Sequence, residues 1–138
     1  MTAAPVERFN VMKAACPTRQ VLRRVGDKWS MLVIAALGDE GTLRFSELSR
    51  TIDGITQKML TQTLRALERD GLVEREVFPT VPVTVQYSLT PLGHSLAEAI
   101  GTIRDWAYGH MDEIEAARER FDSQPAEPGP PTPMARAG

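Results

Sequence analysis

The chain has 138 residues, of which 42% are apolar and 25% charged, which fits one globular domain with a core of useful size. It has no run of about 18 apolar residues, so no membrane span is expected. Residues 1–11 also lack the basic segment and apolar core of an export signal, which points to the cytoplasm. The formal net charge of −2 counts mildly against a nucleic-acid partner, but the distribution matters more than the sum. Bases gather early, at Arg19, Arg23, Arg24, Lys28, Arg44, Arg50, Lys58, Arg65 and Arg69, and many acids late, at Asp112, Glu113, Glu115, Glu119 and Asp122.

Residues 1–15 read as an arm, with Val6, Phe9 and Met12 at helical spacing. Pro17 suits the first position of a helix that carries Val21, Leu22 and Val25 and ends at Gly26. Asp27 is placed to cap a second helix, Lys28 to Leu37. That helix is apolar almost all round and therefore belongs at the buried centre. After a turn at Gly38 to Thr42, a short helix presents Phe45, Leu48 and Ile52 on one face. Asp53-Gly54 marks a turn, and Thr56 caps a longer helix running to Asp70, stopped by Gly71. A short helix, a tight turn and a longer helix make a helix-turn-helix.

The period then changes to two. Val83, Val85, Tyr87 and Leu89 predict a half-buried strand, with Val73 to Phe78 as its partner and Pro79-Thr80-Val81-Pro82 as a stiff tip. Such a hairpin after a helix-turn-helix is a wing. Thr90 and Pro91 restart a helix with the apolar stripe Leu92, Leu96, Ile100, Ile103, Ala107, Met111 and Ile114. If unbroken to Phe121 it is on the order of 45 Å long, more stripe than so small a domain covers alone, and a second subunit is the simplest cover. Leu92, Leu96, Ile100, Ile103, Trp106, Met111 and Ile114 are thus the expected dimer contacts. Gly93, Gly101 and Gly109 weaken this helix by about 1 kcal/mol each relative to alanine and suit close packing or a bend. From Ser123 onward the proline-rich sequence predicts a disordered tail. The fold class expected is mainly α with a small β-wing, in one domain over residues 16–121 with an arm before it and a tail after.

On a helical wheel the segment Gln57 to Asp70 separates cleanly. Leu60, Leu64 and Leu67 form a core face, while Lys58, Thr61, Gln62, Arg65 and Arg69 share an opposite arc of roughly 100° that contains no acid. An isolated helix with this pattern is more readily a solvated face. Between a helix-turn-helix start and a wing it reads as a DNA-recognition helix. Gln62 and Arg65 are then placed to reach adenine and guanine edges, and Lys58 and Thr61 to hold phosphates.

Several runs resemble the HxlR-type regulators, winged helix-turn-helix proteins of the MarR-like superfamily. They are Cys16-Pro17, Gly26 with Lys28-Trp29, Arg44-Phe45-Ser46-Glu47-Leu48, Gly54 to Thr61, Asp70-Gly71-Leu72-Val73, and Tyr87-Ser88-Leu89-Thr90 with Leu92-Gly93. The likeness spans about residues 16 to 110 and is most specific from Gly54 to Thr61. It implies a homodimer built from terminal helices that binds palindromic operators in bacteria. Read with the wheel, it gives Arg44, Ser46, Thr56, Gln57, Lys58, Thr61, Gln62, Arg65 and Arg69 as the DNA-binding set. Two departures stand out. Asp27 replaces a second glycine common in that family, and residues 79–86 carry no cation where its wing often has a base near the position of Thr84.

Cys16, the only cysteine, excludes an intrachain disulfide and a cysteine-rich zinc site. His94 and His110 lie too far apart on one helix to share a metal, so neither metal nor cofactor is expected. At a helix start, with Arg19 near, the Cys16 thiol sits in positive potential that favours thiolate. It is either a redox or electrophile sensor, as in some members of the family it resembles, or a capping residue. Without a resolving cysteine, oxidation would give an intersubunit disulfide or a mixed adduct. Two other function classes compete with this reading: a protein-interaction module using the same faces, and an enzyme, for which no phosphate loop, base or oxyanion site is evident.

Overall fold

The computed structural model describes residues 9–126 and 129. Val6 of the arm and most of the expected tail therefore lie outside the described residues. Two compact units are present, Met1–Ile103 and Arg104–Gly138.

Among the described residues the first helix is α1, Pro17–Gly26, followed by α2, Lys28–Glu40. Pro17 takes the first turn of α1, where its missing N–H costs no hydrogen bond. Asp27 alone separates the two helices. Its carboxylate does not cap an α2 amide as expected; it accepts the hydroxyl of fully buried Ser30 at 2.8 Å. A buried hydroxyl needs a partner more than a solvated helix start does. Val33, Ile34, Ala36 and Leu37 put α2 at the centre of the core, although Leu32 is exposed.

Next come strand β1, Leu43–Arg44, and helices α3, Phe45–Thr51, and α4, Gln57–Arg69. Strand β1 is too short to show any period in the sequence. Buried Leu48, Ile52 and Ile55 pin α3 and the following turn to α2. The Thr56 side chain caps α4 by accepting the Met59 N–H at 3.1 Å. At the other end Leu72 N donates to Leu67 O and Gly71 N to Glu68 O, both at 3.0 Å. This paired closure requires the left-handed backbone of Gly71, φ 74°.

Strands β2, Val73–Phe78, and β3, Thr84–Leu89, form the wing in an antiparallel sheet of order β1-β3-β2, with Val73 opposite Leu89 and Arg75 opposite Tyr87. The alternation expected from Val83 onward is not a burial pattern. Val83 is exposed and precedes the strand, and only the roots Val73 and Leu89 are buried. A protruding hairpin has neighbours only at its base.

Helix α5, Pro91–Asp122, begins at Thr90. The Thr90 hydroxyl oxygen accepts the Gly93 N–H at 2.9 Å while its proton goes to the Gly71 carbonyl at 2.6 Å. One side chain thus caps α5 and ties it to the end of α4. The single stripe expected along α5 is in fact two faces within this unit. Ile100 is 2% exposed in the chain's own core, with Leu96 and Ala97 against it, whereas Leu92 is 58% and Ile103 47% exposed. Ile100 is therefore core, not part of an open dimer surface. Periodicity reports that a face is covered and says nothing about what covers it. In the second unit α5 continues, with Trp106 exposed, Met111 and Ile114 half-buried, and the Trp106 and His110 rings stacked at 4.7 Å.

Candidate nucleic-acid interface

The leucine stripe of α4 sets the orientation of everything else on that helix. Leu60, Leu64 and Leu67 are at most 1% exposed, so the side chains about 180° away must face solvent. Gln57, Lys58, Thr61, Gln62, Arg65 and Arg69 are all exposed, as is the capping residue Thr56. Lys58, Thr61, Gln62, Arg65 and Arg69 share the arc away from the leucines, whereas Gln57, in the first turn, stands at the angle of Leu64 and Glu68, and Thr56 precedes the helix. Thr63, absent from that set, is buried with the leucines. Arg44 and Ser46 are exposed but belong to the start of α3. The backbone N–H of Arg44 donates to the Glu47 carboxylate at 2.9 Å, which fixes that helix start.

Not every early base contributes a free charge. Arg24 pairs with Asp70 at 2.8 Å, holding α1 against the end of α4. Arg19 donates to the carbonyls of Val11 and Met12 at 2.8 and 3.2 Å, anchoring the chain before α1. Lys28 lies over the Trp29 ring, 4.5 Å from its centroid. What remains on α4 is Lys58, Arg65 and Arg69, without an ion-pair partner among the described residues.

Between α4 and the wing lies an open notch of about 580 Å³, lined by Thr61, Leu64, Arg65, Glu68 and Arg69 of the helix and by Arg75 and Tyr87 of the strands. Arg75 is the residue that sequence reasoning missed. The tip of the wing, residues 79–86, carries no cation, but the base on β2 shares the notch with the recognition helix. The signal available was Arg75's place two residues after buried Val73, which puts both on one face of a strand.

Chemically, exposed guanidiniums, an ammonium, an amide and hydroxyls on a protruding helix beside a hairpin are suited to a polyanion with hydrogen-bonding edges. The family model described as HxlR-like helix-turn-helix matches residues 24–115. The chain belongs to the HxlR-like helix-turn-helix family. It is similar to the HTH-type transcriptional regulator YtfH of Escherichia coli K12, 44% identical over 110 residues that cover 80% of this chain and 86% of that relative. The solved ytfH regulator from Salmonella typhimurium is 42% identical with TM-score 0.75, covering 80% of this chain and 98% of that one. The redox regulator HypR in its reduced form is 39% identical with TM-score 0.67, covering 72% and 98% respectively. This HxlR-like chain is thus a transcriptional regulator of the helix-turn-helix type with a winged-helix fold. Among the described residues no helix is long and apolar enough to cross a membrane.

Cys16 is the N-cap residue of α1. It is buried and unbridged. Burial alone would raise its pKa. The Thr18 hydroxyl, the backbone amides of Thr18 and Arg19 and the Arg19 charge outweigh that and hold the thiol below its ordinary range.

Proposed function

We propose that this regulator binds a palindromic DNA operator as a homodimer, with α4 of each subunit in a major groove. The observation that supports this best is the acid-free exposed arc of α4, held out by its buried leucines. Its contact residues are Lys58, Thr61, Gln62, Arg65 and Arg69, joined by Thr56 and Gln57 at the start of α4 and by Arg44 and Ser46 at the start of α3. Gln62 has the reach for base edges and Lys58 for phosphate. The dimer would be closed by the exposed apolar residues of α5, among them Leu92, Ile103 and Trp106. A gel mobility shift with the DNA upstream of the protein's own gene tests the reading. A shift that scrambled DNA does not compete away supports it; equal competition leaves only nonspecific binding, and no shift moves a protein-interaction role to first place.

Its control is proposed to run through Cys16. The lowered thiol pKa supports this, as does the similarity to HypR, a redox regulator. Two Cys16 thiols from two subunits would give one disulfide, passing two electrons and two protons to peroxide, which leaves as two waters. Alternatively the thiolate adds to an electrophilic carbon such as that of a quinone, whose oxygen takes the proton. Mild peroxide or a quinone is then expected to weaken DNA binding, and Cys16→Ser to abolish the response. A serine variant that still responds leaves Cys16 only its place at the helix start.

A further inference from the structure

We infer that Arg65, Arg69 and Arg75 form one phosphate clamp that joins the recognition helix to the wing, so that Arg65 holds the DNA backbone and does not read a base. This rests on the DNA-binding reading above and deepens it. Arg65 and Arg69 come from successive turns of α4 and Arg75 from β2, and all three line the same notch. Three guanidiniums lining one notch repel one another, and Glu68 supplies only one carboxylate there. None of the three has an ion-pair partner among the described residues. An arrangement that is unfavourable when empty becomes favourable with an anion between the arms. Guanidinium forks match phosphate oxygens two at a time. The hydroxyls of Thr61 and Tyr87 line the notch too, and both donate to phosphate readily.

The placement also explains how a wing without a cation at its tip contributes to binding. The charge sits on the strand beside α4, where the backbone flanking the groove that α4 enters would pass. Arg69 lies in the last turn of α4, where the helix dipole favours a cation. Arg65 lies on the wing side of the polar arc, about 60° from Gln62 at 100° per residue. Base reading then falls to the far side of the arc, to Gln62.

The test is equilibrium binding over a salt series, with two duplexes: the protein's own upstream DNA and a scrambled duplex of equal length. Arg75→Gln is expected to weaken both by about eightfold at 0.1 M salt and to lower the salt slope by about one, as the loss of one phosphate contact does. Arg75→Lys keeps the charge and loses the fork, so it should restore the slope but only part of the affinity. Arg65→Ala is expected to cost the same on both duplexes. Unchanged affinity and slope for Arg75→Gln, with wild-type protein still binding, would overturn the clamp and leave the DNA reading intact. A selective loss for Arg65→Ala on the upstream DNA alone would return Arg65 to the bases. Wild-type protein that binds neither duplex would overturn the DNA reading and the clamp with it. An Arg75 side-chain resonance that moves with inorganic phosphate, while Arg75→Gln leaves DNA binding unchanged, would make the notch a free-anion site instead.

Discussion

A Cβ on Gly93 would land on the carbonyl oxygen of Leu72, with a Leu89 methyl close behind. The first turn of α5 can therefore lie on the end of α4 only because this residue has no side chain. Gly101 in the same helix has open space where its Cβ would go. Opposite outcomes are expected in thermal melts. Gly101→Ala should stabilise by up to about 1 kcal/mol, since alanine is the better helix former. Gly93→Ala should destabilise by about 1–3 kcal/mol in spite of that gain, because backbone must move. Matching shifts of the same sign would mean that α5 does not pack as described. The sequence shows three glycines in one helix and cannot rank them, because what distinguishes them is the neighbour and not the residue.

Cys16 raises a chemical question at the same scale. Its thiol is pulled down by the Thr18 hydroxyl and by Arg19 against the opposing effect of burial. The thiolate fraction rises with pH, so a lowered pKa puts more thiolate at neutral pH. The rate of alkylation by a small reagent such as iodoacetamide should therefore reach half its plateau below the pH usual for a thiol. Thr18→Val, which deletes one of the hydrogen bonds, should move that midpoint upward. A wild-type midpoint at the ordinary thiol value would remove the chemical basis for sensing at this position.

At the scale of elements, α4 was the most legible. Its cap, its leucine stripe and its closing glycine all agree, so period and punctuation specify one answer. Lys58→Ala and Gln62→Ala should leave the melting temperature nearly unchanged, because both side chains are exposed. Leu64→Ala should cost about 2–5 kcal/mol as a core truncation. On DNA the two surface variants should separate. Lys58→Ala should weaken upstream and scrambled duplexes alike, and Gln62→Ala chiefly the upstream one. Parallel losses would mean that Gln62 touches no base. Other elements were less legible for physical reasons. Strand β1 has two residues and exists through its pairing with β3. The wing's apolar alternation did not predict burial, because the hairpin leaves the core beyond its root. Arg75 acquired its place in the notch beside α4 only in the folded chain.

For the whole molecule, α5 carries the exposed apolar side chains Leu92, Ile103, Trp106, Tyr108 and Phe121. A dimer is expected in sedimentation at micromolar concentration, and Trp106→Glu should shift it toward monomer without lowering secondary-structure content, since Trp106 is 57% exposed. The family and the winged-helix class were legible because the resembling runs fall on the caps and turns that define the fold. Which apolar positions of α5 serve the core was not, and Ile100 went to the chain's own interior. Whether two copies of α4 enter successive major grooves is tested most directly by hydroxyl-radical footprinting of the protein on its own upstream DNA. Two protected half-sites related by a two-fold axis are expected, with centres about 34–36 Å apart, and Gln62→Ala should require more protein to reach the same protection. A single protected patch, or protection that persists when the sequence is scrambled, would contradict a homodimer reading an operator.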